Sequence, residues 1–202
     1  MNVRRVGDVS HLPTAAFGHA TPQWWRLIGM IAIEGTIFAL CIASYFYIRL
    51  QVAAWPPRPI AMPELLPGTV NTALILLGLW PMRVVERHAL KYEREAVMRY
   101  LLLFLCQVAI ILVIRFYEFL AFDVKWDTNA YGSIVWITLF FHSLHILTSF
   151  LEKAVLLVYV SLRGLDEKRA LDLQLNRVYW DFLAGSWVVI YGVLYFGPLM
   201  LN

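Results

Sequence analysis

The chain has 202 residues, of which 60% are hydrophobic and 15% are charged, and its formal net charge is +3. Soluble domains carry about one quarter charged residues, so this composition excludes an ordinary soluble enzyme and predicts an integral membrane protein. In such a protein the basic residues first set the membrane topology, and we expect no nucleic-acid partner. We therefore predict a single membrane domain over residues 1–202.

Five stretches are apolar and long enough to cross a bilayer core about 30 Å thick as helices. They lie at about residues 27–49, 69–86, 98–121, 132–160 and 179–201. The second stretch is short, and Pro81 near its end is expected to kink or end the helix. The sequence thus predicts an all-α integral membrane bundle of five transmembrane helices.

Two connections have distinctive sequences. The segment AAWPPRPIAMPELLPG contains five prolines and is predicted to be non-helical. The segment RVVERHALKYEREAVMRY, between the second and third spans, is predicted to form a charged helical hairpin.

Lysine and arginine are distributed unevenly about the five spans. Twelve lie before the first span or between spans two and three and spans four and five, whereas three lie on the opposite side. The positive-inside rule therefore predicts a cytoplasmic N-terminus and an extracytoplasmic C-terminus. Five tryptophans at or near the expected span ends are consistent with an aromatic belt: Trp24, Trp25, Trp55, Trp126 and Trp180.

Polar residues recur inside the fourth span at intervals of three and four residues. This stripe consists of Thr138, His142, His145, Ser149 and Glu152. Ionisable groups within a span face the bundle interior or water, because exposure to lipid is unfavourable. The stripe is therefore predicted to be a continuous polar seam on one face of the helix.

Other ionisable residues lie in the remaining spans. The first span carries Glu34, on a helix that also has a small-residue surface made of Gly35, Ala39 and Ala43. Arg115 and Glu118, three residues apart near the end of the third span, are predicted to form a local ion pair and to snorkel toward the surface. Asp181 is predicted to lie near the cytoplasmic end of the fifth span.

Three interpretations apply to the histidine pair. A metal site would need further ligands, which Glu118 or Glu34 could supply. A proton relay could run through Glu34, Glu118 and the two histidines. Interhelical hydrogen bonds, each contributing about 0.6 kcal/mol, would instead fix the packing of the helices. The seam favours packing over coordination, and we assign neither a catalytic residue nor a metal site.

Several motifs, taken together, resemble subunit III of haem-copper respiratory oxidases, the cytochrome c and quinol oxidase subunit III family. In chain order they are IAIEGTIFA, WPP, NTALIL, EF, AYGSIVWITLFFHSLHI and VYWDFLAGSWVVIYGVLYF. The resemblance covers about residues 24–198, and motifs in the right order are more specific than any one alone.

The resemblance implies a five-helix form of an accessory, non-redox subunit in the plasma membrane of a bacterium. Haem and copper are then held by partner subunits, so the chain is part of an enzyme without being catalytic itself. The implied partners are the catalytic subunit I, subunit II, small subunits and phospholipid, and the implied roles are stabilisation, lipid binding, proton uptake and oxygen access. The alternatives are a related subunit associated with nitric oxide reductase and a stand-alone transporter with a Glu/His relay.

The resemblance also assigns candidate residues. Glu34 matches the buried carboxylate of the family, Glu118 its glutamate at the end of the corresponding helix, and His142 and His145 its paired histidines. Asp181 stands where the family usually has histidine. The candidates related to buried polar contacts, protons or lipid are Glu34, Arg115, Glu118, His142, His145, Ser149, Glu152 and Asp181.

Overall fold

The computed structural model describes residues 21–200, and five of its helical segments are long and apolar enough to cross a membrane. They run Pro22–Arg49, Leu65–Ala89, Arg94–Ala121, Ala130–Arg163 and Glu167–Met200. The predicted all-α class and the five spans are confirmed. The orientation of the termini stays a prediction, and Arg4 and Arg5, which contributed to it, lie outside the described residues.

The helices are labelled in chain order. They are α1 (Pro22–Arg49), α2 (Leu65–Leu77), α3 (Leu79–Ala89), α4 (Arg94–Ala121), α5 (Ala130–Arg163) and α6 (Glu167–Tyr191). The fifth span continues from α6 through a π-helical turn, Gly192–Phe196, into the short α7 (Gly197–Met200).

Capping side chains fix where helices α1, α5 and α6 begin. Asn129 accepts a hydrogen bond from the Gly132 amide at 2.9 Å, and Asp166 accepts one from the Arg169 amide at 2.8 Å. Thr21 caps α1 in the same way. These contacts satisfy backbone donors that have no partner inside a helix. They start α5 and α6 before the predicted spans and extend both helices beyond the apolar core.

The second span is interrupted at Gly78, which separates α2 from α3. The helical path continues past Pro81 to Ala89, so the proline does not end the span, and the break three residues before it agrees with the expected kink. Pro81 lies in the first turn of α3, where its missing donor is tolerated. A Cβ atom at Gly78 would lie 2.9 Å from Trp180 Nε1, so glycine allows the close approach of α6.

The prolines before the second span are only partly in a loop. Residues 51–64 are non-helical, but α2 begins at Leu65 and includes Pro67. The expectation that the whole proline-rich segment is non-helical is therefore wrong at its end. Proline is compatible with the first turn, because the backbone donors there lack intrahelical partners in any helix.

The fifth span lies at the centre of the bundle. Helix α6 packs against α1, α2, α3 and α5, while α4 packs against α2, α3 and α5. Helix α1 contacts only α5 and α6 to any extent and is the least buried of the five spans. Polar residues of α6 therefore meet side chains from most of the bundle, and α1 forms one edge of it.

Two predicted membrane-surface tryptophans are core residues. Trp180 packs its ring edge-on against Phe104, with centroids 4.7 Å apart, and Trp55 packs against Tyr45 and Tyr131. Both tryptophans are 0% exposed. The aromatic-belt interpretation is wrong for these two, because α6 begins well before the predicted span and the loop carrying Trp55 folds back onto the helices.

The small-residue surface of α1 does not form a packing interface along its length. A Cβ atom placed on Gly35 would lie 3.7 Å from the Phe182 ring, which is ordinary van der Waals contact. Ala39 and Ala43, in contrast, are exposed on this chain. The predicted close packing therefore holds only at Gly35.

Candidate functional site

Arg115 and Glu118 form the centre of a buried polar cluster on α4. Arg115 Nη1 lies 2.9 Å from Glu118 Oε2, and the side chains are 2% and 0% exposed, respectively. The three-residue spacing places both on one face, so the predicted ion pair is confirmed. The expectation that they snorkel toward the membrane surface is wrong, because both lie in the protein interior.

Two residues from other helices add hydrogen bonds to the Glu118 carboxylate. Asn71 Nδ2 on α2 donates to Oε2 at 2.9 Å, and Tyr195 Oη in the π-helical turn donates to Oε1 at 2.5 Å. Gly68 makes room for the tyrosine, because a Cβ atom there would overlap its ring. A buried ion pair is tolerated when further hydrogen bonds satisfy its remaining polar atoms. This cluster therefore connects the second, third and fifth spans.

Trp187 on α6 covers the guanidinium of Arg115. The Arg115 Cζ atom lies 3.7 Å from the centroid of the indole ring, within the range of a cation–π interaction. Trp187 Nε1 donates to Thr72 Oγ1 at 2.8 Å. Trp187 thus contacts the Arg115 guanidinium through its ring face and helix α2 through its indole N–H.

His142 on α5 borders the same cluster, and its neighbours define its tautomer. Nδ1 lies 3.4 Å from Arg115 Nη2, and Nε2 lies 3.1 Å from the Leu183 carbonyl oxygen. A guanidinium only donates and a carbonyl only accepts, so Nδ1 accepts and Nε2–H donates. Both ring nitrogens are therefore engaged within the protein.

His145 belongs to a second cluster, with Glu34 of α1 and Tyr179 of α6. His145 Nε2 lies 3.6 Å from Glu34 Oε1, and Nδ1 donates to the Phe141 carbonyl oxygen at 2.5 Å. Tyr179 Oη donates to Glu34 Oε2 at 2.9 Å. The side chains of His145 and Glu34 are 14% and 13% exposed, so this cluster is more open than the one around Glu118.

Phe38 of α1 contacts both histidine rings. Its ring centroid is 5.9 Å from that of His142 and 5.5 Å from that of His145. A metal site requires the histidine nitrogens to converge on one point with further ligands. Within residues 21–200, no group of three or more His, Cys, Asp and Glu side chains could hold a metal ion. The geometry therefore does not favour the metal-site interpretation.

The residues of the predicted seam on α5 have different neighbours. His142 and Ser149 are buried, His145 faces α1, and Glu152 is exposed. At 3.6 residues per turn, a step of four residues overshoots a full turn by about 40°, and a step of three falls about 60° short. His142 and Ser149 thus lie to one side of the stripe, and His145 and Glu152 lie to the other. All five positions stay within one stripe about 80° wide, as predicted, but the two edges of that stripe meet different neighbours.

Lys153 is a buried polar residue that the sequence interpretation did not select. Its side chain is 0% exposed, Nζ donates to Ser149 Oγ at 2.6 Å, and the ring of Phe104 lies 5.7 Å away. A lysine within an apolar span, four residues after a serine, was the signal that could have found it. Asn71, Tyr179 and Tyr195 were also missed, because their partners are distant in the sequence.

Asp181 takes part in a contact between α3 and α6. Its Oδ2 atom lies 3.1 Å from Arg177 Nη1, and Arg177 Nε lies 3.1 Å from Glu86 Oε2. Because α6 begins at Glu167, Asp181 lies about four turns inside the helix. Helix α6 extends beyond the apolar core at its start, so the position of Asp181 near the cytoplasmic surface stays a prediction.

The two clusters differ in what they can do chemically. Glu118 accepts from two donors and faces a guanidinium in the closed interior, an arrangement that fixes helix packing. Glu34 has one hydroxyl donor, one histidine and partial exposure. Only a carboxyl group with access to water can exchange protons readily, so Glu34 is the better candidate for that chemistry.

Five apolar spans joined by buried carboxylate clusters define a multi-pass membrane protein of the bundle type. The chain belongs to the cytochrome c oxidase subunit III family, since the model of that family matches residues 24–198. Membership implies an accessory subunit of a haem-copper oxidase complex.

Curated proteins of the same family cover most of the chain. A cytochrome c oxidase subunit 3 from Synechocystis sp. is 22% identical over 190 residues, which span 92% of this chain and 82% of that protein. A probable cytochrome c oxidase subunit 3 from Nocardia farcinica is 25% identical over 170 residues, or 82% and 83% of the two chains. A similarly described protein from Mycobacterium tuberculosis is 23% identical over 170 residues, with the same coverage.

Proposed function

We propose that the chain is the accessory, non-redox subunit III of a proton-pumping haem-copper terminal oxidase in a bacterial plasma membrane. The observation that carries this proposal is the family match over residues 24–198. Haem and copper are held by the partner catalytic subunits. The engagement of both His142 nitrogens by Arg115 and the Leu183 carbonyl supports this division, because it leaves that ring no free nitrogen for a metal.

The proposed partner surface includes α1. This helix is the least covered within the chain, and it exposes large apolar side chains on the flank away from α5 and α6, Ile33 and Leu40 among them. Lipid or another transmembrane helix can cover such a surface. Subunit I is the expected partner, with subunit II and small subunits completing the complex.

Phospholipid binding is part of the proposal. A cleft of about 340 Å³ on the bundle surface is lined by Trp126, Ser133, Trp136, Ile137 and Phe140. Apolar and aromatic walls with a single hydroxyl group suit an acyl chain. Support of oxygen access to the catalytic subunit is proposed on the family resemblance alone.

Purification of the tagged chain in mild detergent tests the proposal. We expect haem-containing subunits to co-purify, with the absorption spectrum of a terminal oxidase and with oxygen consumption. A chain that purifies alone and remains stable would contradict the proposal. Co-purification with a nitric oxide reductase would favour the related subunit of that enzyme instead.

A proton-transfer role is the second candidate, and the contact between Glu34, His145 and Tyr179 favours it. In the oxidase, these groups would support proton uptake by the catalytic subunit. In a stand-alone transporter they would carry ions by themselves. Ion flux in liposomes containing only this chain would support the transporter, whereas flux that requires the haem-containing subunits would support the oxidase role.

A further inference from the structure

A polar cleft opens between the beginnings of α1 and α6 and the end of α5. Its volume is about 280 Å³. Its polar lining includes Gln23 and Arg26 from α1, Glu152 from α5, and Asp172 and Asn176 from α6. Both α1 and α6 start at this end of the bundle, where the basic residues concentrate. The cleft therefore lies between three helices at the basic end of the bundle.

Asn176 lines this cleft and has one polar atom without a hydrogen-bond partner among residues 21–200. Its side chain is 5% exposed, and its Nδ2 atom donates to Glu152 Oε1 at 3.2 Å and to the Asp172 carbonyl oxygen at 3.0 Å. Its Oδ1 atom is buried and has no hydrogen-bond partner among residues 21–200. An unpaired buried carbonyl group is unfavourable, so this atom requires a donor from outside the described chain.

Tyr179 connects the cleft to Glu34. It lines the inner part of the cleft, one turn beyond Asn176, and its hydroxyl group donates to Glu34 Oε2 at 2.9 Å. Glu34 lies twelve residues after the start of α1, which corresponds to roughly 18 Å along the helix axis. The carboxylate is therefore near the middle of α1, and the tyrosine lies between it and the cleft.

We propose that this cleft is a hydrated half-channel that supplies protons to Glu34 from the basic end of the bundle. In the transfer step, a hydronium ion in the cleft gives a proton to Tyr179 Oη while that hydroxyl group passes its own proton to Glu34 Oε2. The products are water, a neutral tyrosine and a protonated Glu34. The inference rests on the proton-transfer role proposed above and identifies its entrance.

Charged groups from each neighbouring helix face this path. His145 of α5 contacts Glu34 directly, and Tyr179 is the group that reaches Glu34 from α6. Nearer the entrance, the lining includes the carboxyl groups of Glu152 and Asp172 and the guanidinium of Arg26. Asp172 is paired with Arg169, whose Nη1 atom lies 2.8 Å from Oδ2.

Cysteine labelling tests whether the cleft is wet. In a background with Cys41→Ala and Cys106→Ala, Met30→Cys places a thiol in the cleft lining, and Ile33→Cys places one on the same helix outside the lining. A charged, membrane-impermeant methanethiosulfonate reacts with thiolate, which forms in contact with water. In the haem-containing complex we expect the cysteine at position 30 to react at least about tenfold faster than the one at 33.

Labelling from each side of the membrane in turn locates the entrance of the cleft. The reagent should reach position 30 only from the membrane face that carries the basic residues. Equal slow reaction at positions 30 and 33, or reaction that begins only after lipid is extracted, would overturn the proposal, because the cleft would then be dry or filled with lipid.

One-sided pH changes test the connection to Glu34. A lipid-soluble carbodiimide modifies protonated carboxyl groups, so its rate of reaction with Glu34 in sealed vesicles reports protonation. We expect the rate to follow pH on the cleft side within the time of mixing, and Tyr179→Phe to delay that response while leaving co-purification with the haem subunits unchanged. Asn71→Leu, at the other cluster, is the control and should not delay it. A rate that follows the opposite side, or no delay in Tyr179→Phe, would overturn the half-channel. The proposed function would instead be contradicted if the unmodified chain did not co-purify with haem-containing subunits.

Discussion

The Arg115–Glu118 pair lies in a protein interior that is itself surrounded by lipid. Removing both charges from water is unfavourable, and their mutual attraction offsets this only with good geometry and additional hydrogen bonds. Asn71 and Tyr195 provide those bonds, and the Trp187 ring covers the guanidinium. Burial of the two charges is therefore stable only when all of these contacts are present. Loss of any one of these side chains should weaken the whole cluster.

Removing one charge of this pair should destabilise the protein strongly. Glu118→Gln leaves the Arg115 guanidinium buried without a counter-charge, and we expect a loss of about 3–5 kcal/mol in the free energy of unfolding. The thermal midpoint of the detergent-solubilised complex, followed by size-exclusion chromatography after heating, measures the effect.

Two further variants make that measurement decisive. Glu152→Gln removes a carboxylate that is exposed and should lower the midpoint little. Arg115→Gln combined with Glu118→Gln removes both charges and should recover part of the loss. If Glu118→Gln behaved like Glu152→Gln, the buried pair would not hold the spans together.

Removing the buried amine of Lys153, unlike removing the Glu118 carboxylate, should not destabilise the protein. Its Nζ atom has a serine hydroxyl and an aromatic ring as neighbours, and no carboxylate lies within ion-pair distance among residues 21–200. Lys153→Met keeps the length and packing while removing the polar group, so stability should be unchanged or higher. Ser149→Ala removes the hydrogen-bond partner instead and should cost about 1–3 kcal/mol. Thermal midpoints in the same detergent compare the two, and a large loss in Lys153→Met would show that the amine has a function beyond packing.

Some of the site could be predicted at the residue scale, and some could not. The Arg115–Glu118 contact follows from a three-residue spacing, because helix geometry alone places such residues together. The donors Asn71 and Tyr195 are 47 and 77 residues away from Glu118, so only the packing of helices brings them near. The assignment of His142 and His145 to different clusters also depends on their partners Arg115 and Glu34 on other helices, which no local pattern indicates.

At the scale of elements, hydropathy identified all five spans. In lipid, every backbone polar group must be satisfied within its own segment, so a long apolar stretch has almost no alternative to a helix. Helix ends and interruptions were harder to predict, because they depend on capping side chains and on contacts with other helices. The break at Gly78 is an example, since the residue that requires it, Trp180, lies in another span.

Gly78 provides a test of that interhelical contact. An alanine in a helical segment normally stabilises it by about 1 kcal/mol relative to glycine. At position 78, however, the added Cβ atom would lie 2.9 Å from Trp180 Nε1 and 3.0 Å from Cζ2, so Gly78→Ala should lower stability. The thermal midpoint of the purified complex measures the change.

Gly185 on α6 is the matched control for this substitution. A Cβ atom built there meets nothing within 4 Å, so Gly185→Ala should leave the midpoint unchanged or raise it. Equal effects at the two positions would indicate that α6 does not approach the second span as closely as described.

At the scale of the whole molecule, the helices bring most basic residues to one end of the bundle. Ten of the lysines and arginines within residues 21–200 lie toward that end, and three lie toward the other. They are Arg26, Arg83, Arg87, Lys91, Arg94, Arg99, Arg163, Lys168, Arg169 and Arg177, against Arg49, Arg58 and Lys125. The asymmetry is strong without Arg4 and Arg5, so the predicted orientation does not depend on the N-terminal segment.

This asymmetry predicts which loops face the cytoplasm. Short loops rich in lysine and arginine remain on the cytoplasmic side during insertion. Single cysteines at Lys91 and Asp166 should therefore react with an impermeant thiol reagent in inverted vesicles, and cysteines at Arg58 and Asp127 should react in intact spheroplasts. The same orientation would place the mouth of the Gln23–Asn176 cleft on the cytoplasmic side, from which a proton-pumping oxidase takes up its protons. The opposite labelling pattern would contradict the orientation and would leave the half-channel opening on the side where protons are released.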